Sequence, residues 1–352
     1  MFPTTLLKTT LFAIVLSATT VSVFAVPSLS MEVTGPDDVQ RVEAMIVTTT
    51  ITNTGDKVLQ LLNEPNGPLS DIPTDTFEIK DASGNSPEFI GIRVKYALKK
   101  AIESGDMVTL APRESTSITH DLSKAYNFTR TGQGKYSIRA RSMFYVVDKQ
   151  GEKRPRVLRA DTKALSAQLS GSLVAIDETH LQKPASFNGC TLQQQLTIQT
   201  ATRLAFGLAK NSELYLQAVY RGTPRYTTWF GTYSQQRHDT VLGHYSSISG
   251  NNFRTFNYDC TCDMENVYAY VYPDRFGQMY FCPAFWRSAA IGTDSQAGTI
   301  IHEASHYIVN GGTNDFAYGQ DSAKELARTN PDRAVFNADS HEYFAENTPL
   351  LL

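Results

Sequence analysis

The sequence predicts an α+β protein in two parts: a β-rich first half read as an antiparallel β-sandwich, then a mainly helical second half with a small β-sheet. Three observations predict it. Apolar and polar residues alternate along short segments between residues 29 and 145. After residue 190 the apolar spacing lengthens to three and four, and Cys190, Cys260, Cys262 and Cys282 all fall in that second part. A chain of 352 residues also has room for two ordinary domains of about 100–200 residues each. The hydrophobic fraction of 41% and charged fraction of 19% are those of a globular chain, neither disordered nor membrane-embedded. A net charge of −3 gives no electrostatic basis for a nucleic-acid partner.

Residues 1–25 stand apart. Lys8 is their only charge, Leu11–Ala18 is an apolar run, and Val23-Phe24-Ala25 supplies small residues for cleavage after Ala25. The stretch reads as a secretory signal peptide, too short and too rich in Ser and Thr to span a bilayer. No later stretch approaches the roughly 20 apolar residues of a spanning helix. The chain is therefore expected to be secreted, with no membrane partner. Four cysteines in an exported chain suggest two disulfides. The Cys260-x-Cys262 pair lacks a second ligand pair at zinc spacing. One sequon, Asn127-Phe128-Thr129, is a possible glycosylation site.

In the first half, Val39–Thr52 is rich in β-branched residues and ends in the turn Asn53–Asp56. Thr76–Lys80 alternates before Asp81–Asn85, and Gly134–Val147 alternates again. Short strands at this spacing with turn residues between them suggest the sandwich. Residues 148–188, polar and basic at first, read as a domain tail and processing linker. The domains are thus 26–185 and 186–352.

In the second half, Leu192, Leu196, Leu204, Leu208, Leu214 and Val219 recur at helical spacing, predicting one or two amphipathic helices over Thr191–Val219. The aromatic segments Pro224–Tyr233 and Val267–Tyr272 read as strand and turn, their rings as core. Three more helices follow.

One of them carries the chemistry. Thr293 and Gln296 have capping-box spacing, and Gly311-Gly312 lies where a helix would end. Within it His302 and His306 stand one turn apart on one face, so both imidazoles can reach one zinc. Glu303 beside them can take a proton from the water such a metal activates. The bland alternative is a surface helix that happens to carry two histidines. A catalytic zinc takes a third protein ligand. Val309 and Gly312 stand where a metzincin needs Gly and His, which excludes that class. Glu325 has the spacing of a thermolysin-like ligand, and Asp315 follows a Gly-rich turn that could fold it back; from the residues alone both remain open.

The stretch His302–Gln320, HEASHYIVNGGTNDFAYGQ, resembles the aspzincins, the deuterolysin-type zinc peptidases marked by HExxH and then GTxDxxYG. The resemblance implies a zincin-type catalytic domain with one zinc ion held by His302, His306 and Asp315. It implies Glu303 as general base and Tyr318 as hydrogen-bond donor to the oxyanion. Thr223–Gly231, Tyr258–Cys262, Tyr270–Pro273 and Thr293–Gly298 are similar to the peptidyl-Lys branch of that family, so the likeness covers nearly the whole chain. That branch implies the disulfides Cys190–Cys260 and Cys262–Cys282, and a first half that is a propeptide acting as inhibitor or folding aid. It also implies a monomer acting on protein and peptide substrates.

Asp339 and Glu342, three apart on a later helix, share a face. By the same resemblance they line a pocket for the lysine after the scissile bond; the bland reading is a solvated acidic face. Lysine usage agrees with the pocket: residues 1–185 hold 12 Lys and 9 Arg, residues 186–352 only 2 Lys beside 9 Arg. An enzyme that cuts before lysine gains from lacking it, and the unchanged arginine count argues against a general loss of cations. Maturation is expected between 177 and 189, near Ser186; Lys183-Pro184 is an awkward bond for self-cleavage. The competing readings are a deuterolysin-like enzyme of broader specificity and a non-catalytic secreted module with a structural zinc.

Overall fold

The computed structural model describes residues 28–148, 155–172 and 186–351. The leader expected at 1–25 and most of the processing segment lie outside them. The chain is a mixed α/β protein, strands dominating the first half and helices the second. The first half opens with β1 (Leu29–Thr34), β2 (Asp38–Arg41), β3 (Ile46–Asn53), β4 (Leu59–Leu62) and β5 (Phe77–Asp81). Then come β6 (Glu88–Phe89), β7 (Arg93–Tyr96), the short helix α1 (Leu98–Ser104), β8 (Met107–Leu110), β9 (Ser115–Asp121) and β10 (Tyr126–Asn127). It ends with β11 (Gly134–Ala140), β12 (Met143–Val146), β13 (Arg156–Arg159), β14 (Asp161–Thr162) and β15 (Leu165–Ser172).

Among the described residues these strands make three four-stranded sheets, ordered β14-β1-β3-β9, β2-β15-β11-β5 and β13-β12-β4-β8. Burial alternates along β3, so Val47, Thr49 and Ile51 face inward. One buried cluster takes Met31, Ile51, Leu61, Ile79, Ile138 and Leu169 from all three sheets. Two expectations are corrected here. Strands β1 with β14 and β2 with β15 pair in parallel, so the half is not purely antiparallel. Residues 156–172, read as tail and linker, are strands of this half. Leu165, Ala167 and Leu169 alternate with Ser166, Gln168 and Ser170, a period of two hidden by polar composition.

The second half comprises β16 (Ser186–Asn188), α2 (Leu192–Ala218), α3 (Pro224–Phe230), α4 (Gln235–Gly250), β17 (Asn257–Asp259), β18 (Val267–Val271) and β19 (Gln278–Phe281). It closes with α5 (Pro283–Trp286), α6 (Gln296–His306), α7 (Gly319–Thr329), α8 (Pro331–Ala334) and α9 (Ala338–Glu346). No helix of the described residues is long and apolar enough to cross a membrane.

Helix α2 is one helix opened by a full capping box, Thr191 with Gln194. Its core face differs from the expected leucine stripe. Ile198, Ala201, Ala205, Ala209 and Leu216 are buried, whereas Leu192, Leu196 and Leu214 are exposed; the small stripe lets α2 pack close on α4 and α6. Segment 224–230 is helix, not strand, because the Thr223 hydroxyl caps Tyr226 N and Pro224 suits a first turn. Disulfides join Cys190 to Cys260 and Cys262 to Cys282, the pairs the resemblance implied. They close spans of 70 and 20 residues, which on chain-entropy grounds is on the order of 3–4 kcal/mol each.

The second half's sheet runs β16-β17-β19-β18-β7, and its last strand comes from the first half. Arg93–Tyr96 pairs antiparallel with β18, Val94 opposite Tyr270 and Arg93 opposite Val271.

Candidate metal centre

Helix α6 lies at the middle of the second core, every one of its residues buried. Its start differs from the expected box on Thr293. Ser295 is the cap, its hydroxyl accepting from Gly298 N at 2.9 Å, while Asp294 has φ of 53° outside the helix. Glu346 of α9 completes the cap by accepting from Ser295 N and Oγ at 2.9 and 2.7 Å. This close approach of α9 explains the glycine inside α6. A Cβ on Gly298 would stand 2.1 Å from Glu346 Oε1 and 2.9 Å from Glu342 Oε1. The helix stops at His306, before the double glycine expected to end it.

The chain then folds back. Thr313 N donates to Ser305 O at 3.1 Å, and Thr313 O accepts from His306 Nδ1 at 2.9 Å. With its Nδ1–H so used, His306 presents Nε2 as a lone pair. Asn337 holds the next turn: its Oδ1 accepts from Phe316 N and Ala317 N, both at 3.0 Å. These bonds deliver Asp315 Oδ1 to 3.1 Å from His302 Nε2 and 3.4 Å from His306 Nε2. The three atoms lack a hydrogen-bond partner although their side chains are buried. Buried polar atoms without partners are costly unless something else engages them. Two imidazole nitrogens and a carboxylate oxygen, within 4.8 Å of one another, are the donor set of an open zinc site, so the residues fit that metal.

The other face of His302 is also built. Its Nδ1 lies 2.8 Å from Asp339 Oδ1 and 3.4 Å from Glu342 Oε2. Asp339 Oδ2 accepts from Gly319 N at 2.6 Å. Glu303 is fully buried with neither carboxylate oxygen bonded, and burial pushes its carboxyl well above the ordinary range, partly opposed by His302. Glu325 is exposed on α7 and pairs with Arg328, away from this cluster.

Asp339 and Glu342 do come together on α9, but they divide their work. Asp339 holds His302, whereas Glu342 Oε1 receives the ammonium of Lys95 at 2.5 Å. That ammonium is also 3.5 Å from Asp294 Oδ1 and 4.4 Å from the centre of the Tyr268 ring. Burial pulls its pKa down, but Glu342 first, then Asp294 and Asp339, raise it well above the ordinary lysine value. Tyr268 is buried with Ala97 and Ala284, as expected of a core ring, and turns one face to this ammonium. Asn337 carried no motif.

Tyr318 is buried with its hydroxyl donating to Val94 O at 2.8 Å and accepting from Asn66 Nδ2. Val94 N in turn donates to Asp315 Oδ2 at 3.3 Å. Strand β7 thus lies against the cluster through Val94 and Lys95. An open cavity of about 620 Å³ between α3 and α7, lined by Thr227, Thr228 and Arg328 among others, contains none of these residues. Asn127 lies in β10, its Oδ1 accepting from Thr129 N and Oγ1 at 3.0 and 2.7 Å.

Comparison with known proteins gives the following. A family model described as lysine-specific metallo-endopeptidase, the aspzincin type, matches residues 215–346. A peptidyl-Lys metalloendopeptidase of Grifola frondosa is 48% identical over 333 residues, covering 94% of this chain and 95% of that one. One of Armillaria mellea is 45% identical over 344 residues, covering 96% and 97%. A solved structure, a zinc peptidase from Grifola frondosa, is 51% identical, covers 46% of this chain and all of its own, and superposes with a TM-score of 0.46.

Proposed function

The chain belongs to the aspzincin family of zinc metalloendopeptidases, and from that premise we propose that it hydrolyses proteins on the amino side of lysine. His302, His306 and Asp315 hold the zinc, which when bound supplies a Lewis acid that acidifies water and polarises a carbonyl. Glu303 takes the proton from the attacking water and passes it to the departing amine. Tyr318 donates its phenolic hydrogen to the carbonyl oxygen as charge grows there. Asp339 fixes the His302 ring and adds its negative field to the pocket. Glu342 receives the ammonium of the residue after the scissile bond, over the face of Tyr268. A compact ammonium suits this pocket better than a planar guanidinium, which needs a wider fork of acceptors.

The observation that carries this reading is the buried Lys95–Glu342 ion pair, whose carboxylate also lies 3.4 Å from Nδ1 of His302 in the open triad. Residues 1–25 are read as the secretory signal, which the two disulfides of the described chain suit. Residues 26–185 are read as a β-sandwich propeptide and linker, and 186–352 as the mature enzyme, a secreted monomer.

The test is a set of peptides alike but for one residue, Lys, Arg or Leu, incubated with the processed enzyme. Cleavage before Lys alone is expected. Equal cleavage of all three would leave a broad-specificity enzyme.

A further inference from the structure

We propose that Arg93–Tyr96 is an internal substrate. It closes the active site until the chain hydrolyses its own Val94–Lys95 bond. The inference rests on the reading that the Glu342 pocket selects lysine.

Two neighbouring residues of one strand meet both recognition elements. Lys95 is only 2% exposed and puts its ammonium between Glu342, Asp294 and Tyr268. The carbonyl of the preceding Val94 accepts from Tyr318 Oη at 2.8 Å. The carbonyl of an acyl-Lys bond is thus at the oxyanion donor while its lysine is in the pocket. The strand is also docked as a peptide ligand is docked, by an antiparallel ladder on the edge of β18. Val94 N donates to Asp315 Oδ2, which brings this backbone against the triad. Asn66 adds a bond to Tyr318 from the same half of the chain. A lysine buried against a carboxylate 247 residues away needs a reason beyond stability, since such pairs rarely outperform apolar packing.

The reaction balances with water alone. Hydroxyl adds to the Val94 carbonyl carbon, the C–N bond breaks, and the Lys95 nitrogen leaves as an amine carrying the remaining proton. The cut frees Lys95 as a new N-terminus and splits β7 between Val94 and Lys95, so the strand loses its continuous ladder. Segment 177–189 remains the boundary of the mature enzyme; the cut at Val94 precedes it.

The experiment uses the full chain, wild type, Lys95→Met and Glu303→Gln. In metal-free protein, hydrogen exchange is followed by mass spectrometry. Lys95→Met is expected to speed exchange of peptides covering 91–98 and 267–271 by roughly tenfold or more, the scale of losing a buried charge pair. The core of α6 should stay protected, which shows that the variant folds. After zinc is added, wild type is expected to gain an N-terminus at Lys95, at a rate independent of chain concentration, and both variants to gain none. Unchanged exchange in Lys95→Met overturns the inference. So does a chain that cuts added Lys peptides while Val94–Lys95 stays whole, and there the lysine reading survives. If the processed enzyme shows no preference for lysine in added peptides, the lysine reading itself has failed.

Discussion

His302 Nδ1 lies 2.8 Å from Asp339 Oδ1, while Nε2 of the same ring lies 3.1 Å from Asp315 Oδ1. One imidazole therefore joins the ligand triad to the carboxylates of α9. Through Asp339 and Glu342 the same ring also stands beside the buried ammonium of Lys95.

Asp339→Asn should weaken zinc binding roughly 10–100-fold, the usual effect of losing a ligand's carboxylate partner, and leave the Lys-to-Arg ratio nearly intact. Glu342→Gln should do the reverse, keeping zinc and losing on the order of 100-fold in kcat/KM on Lys peptides. Chelator competition and paired peptides measure the two effects. Lost lysine preference with unchanged zinc affinity in Asp339→Asn would contradict the division.

Tyr318→Phe keeps the ring and removes the donor. kcat should fall by roughly 100–1,000-fold with little change in KM, because the bond strengthens only as charge develops. A change confined to KM would assign Tyr318 to ground-state binding.

Gly298→Ala puts a methyl 2.1 Å from Glu346 Oε1. The carboxylate that caps α6 must move, so the chain should lose about 1–3 kcal/mol, read as a lower Tm. An unchanged Tm would mean that α6 and α9 are not held as close as the structure has them.

Acid should remove the stability that three buried histidines contribute to the metal-free chain, well above the ordinary carboxylate range. Burial lowers His120 and His244 to about 4 and His341 to about 3, in the last case with help from His244. Unfolded, each has the ordinary value of 6.5. The folded values are depressed, so the unfolded state binds protons first as pH falls. The stability is fully present above 6.5 and is lost as pH drops towards 4. Burial raises Glu64 to about 7 and Glu346 to about 8, which adds stability as pH falls through the same range, so the histidine part is read as a difference. The Tm gap between wild type and His120→Gln, measured with chelator, should shrink as pH drops from 7 to 5, and a gap as wide at pH 5 as at pH 7 would refute this.

The local pattern made much of this legible. HEASH marks the helix and its two histidines, whereas Asp315 could be named only through the likeness of GTNDFAYG to the aspzincin motif, because spacing alone left Glu325 open. Alternation and β-branched runs revealed β3, β5, β11 and β12, and helical period revealed α2. Long-range packing was not legible. Nothing in Arg93–Tyr96 says that it pairs with β18 rather than with its own half, because strand period reports faces and not partners. Nothing in Asp339 says that it faces His302 rather than a lysine. Ser295 displaced Thr293 as the cap because Glu346, 51 residues on, completes it. The alanine face of α2 was passed over for its leucines, since close helix approach rewards small side chains and hydrophobicity alone does not show that.

The central claim is that His302, His306 and Asp315 hold zinc while Glu303, which binds none of it, moves the proton. Zinc per chain and peptide hydrolysis measured on one purified sample of processed Glu303→Gln test this most directly. About one zinc per chain is predicted, with hydrolysis lower by roughly a thousandfold or more. A sample that keeps its zinc and hydrolyses at the wild-type rate would contradict the account.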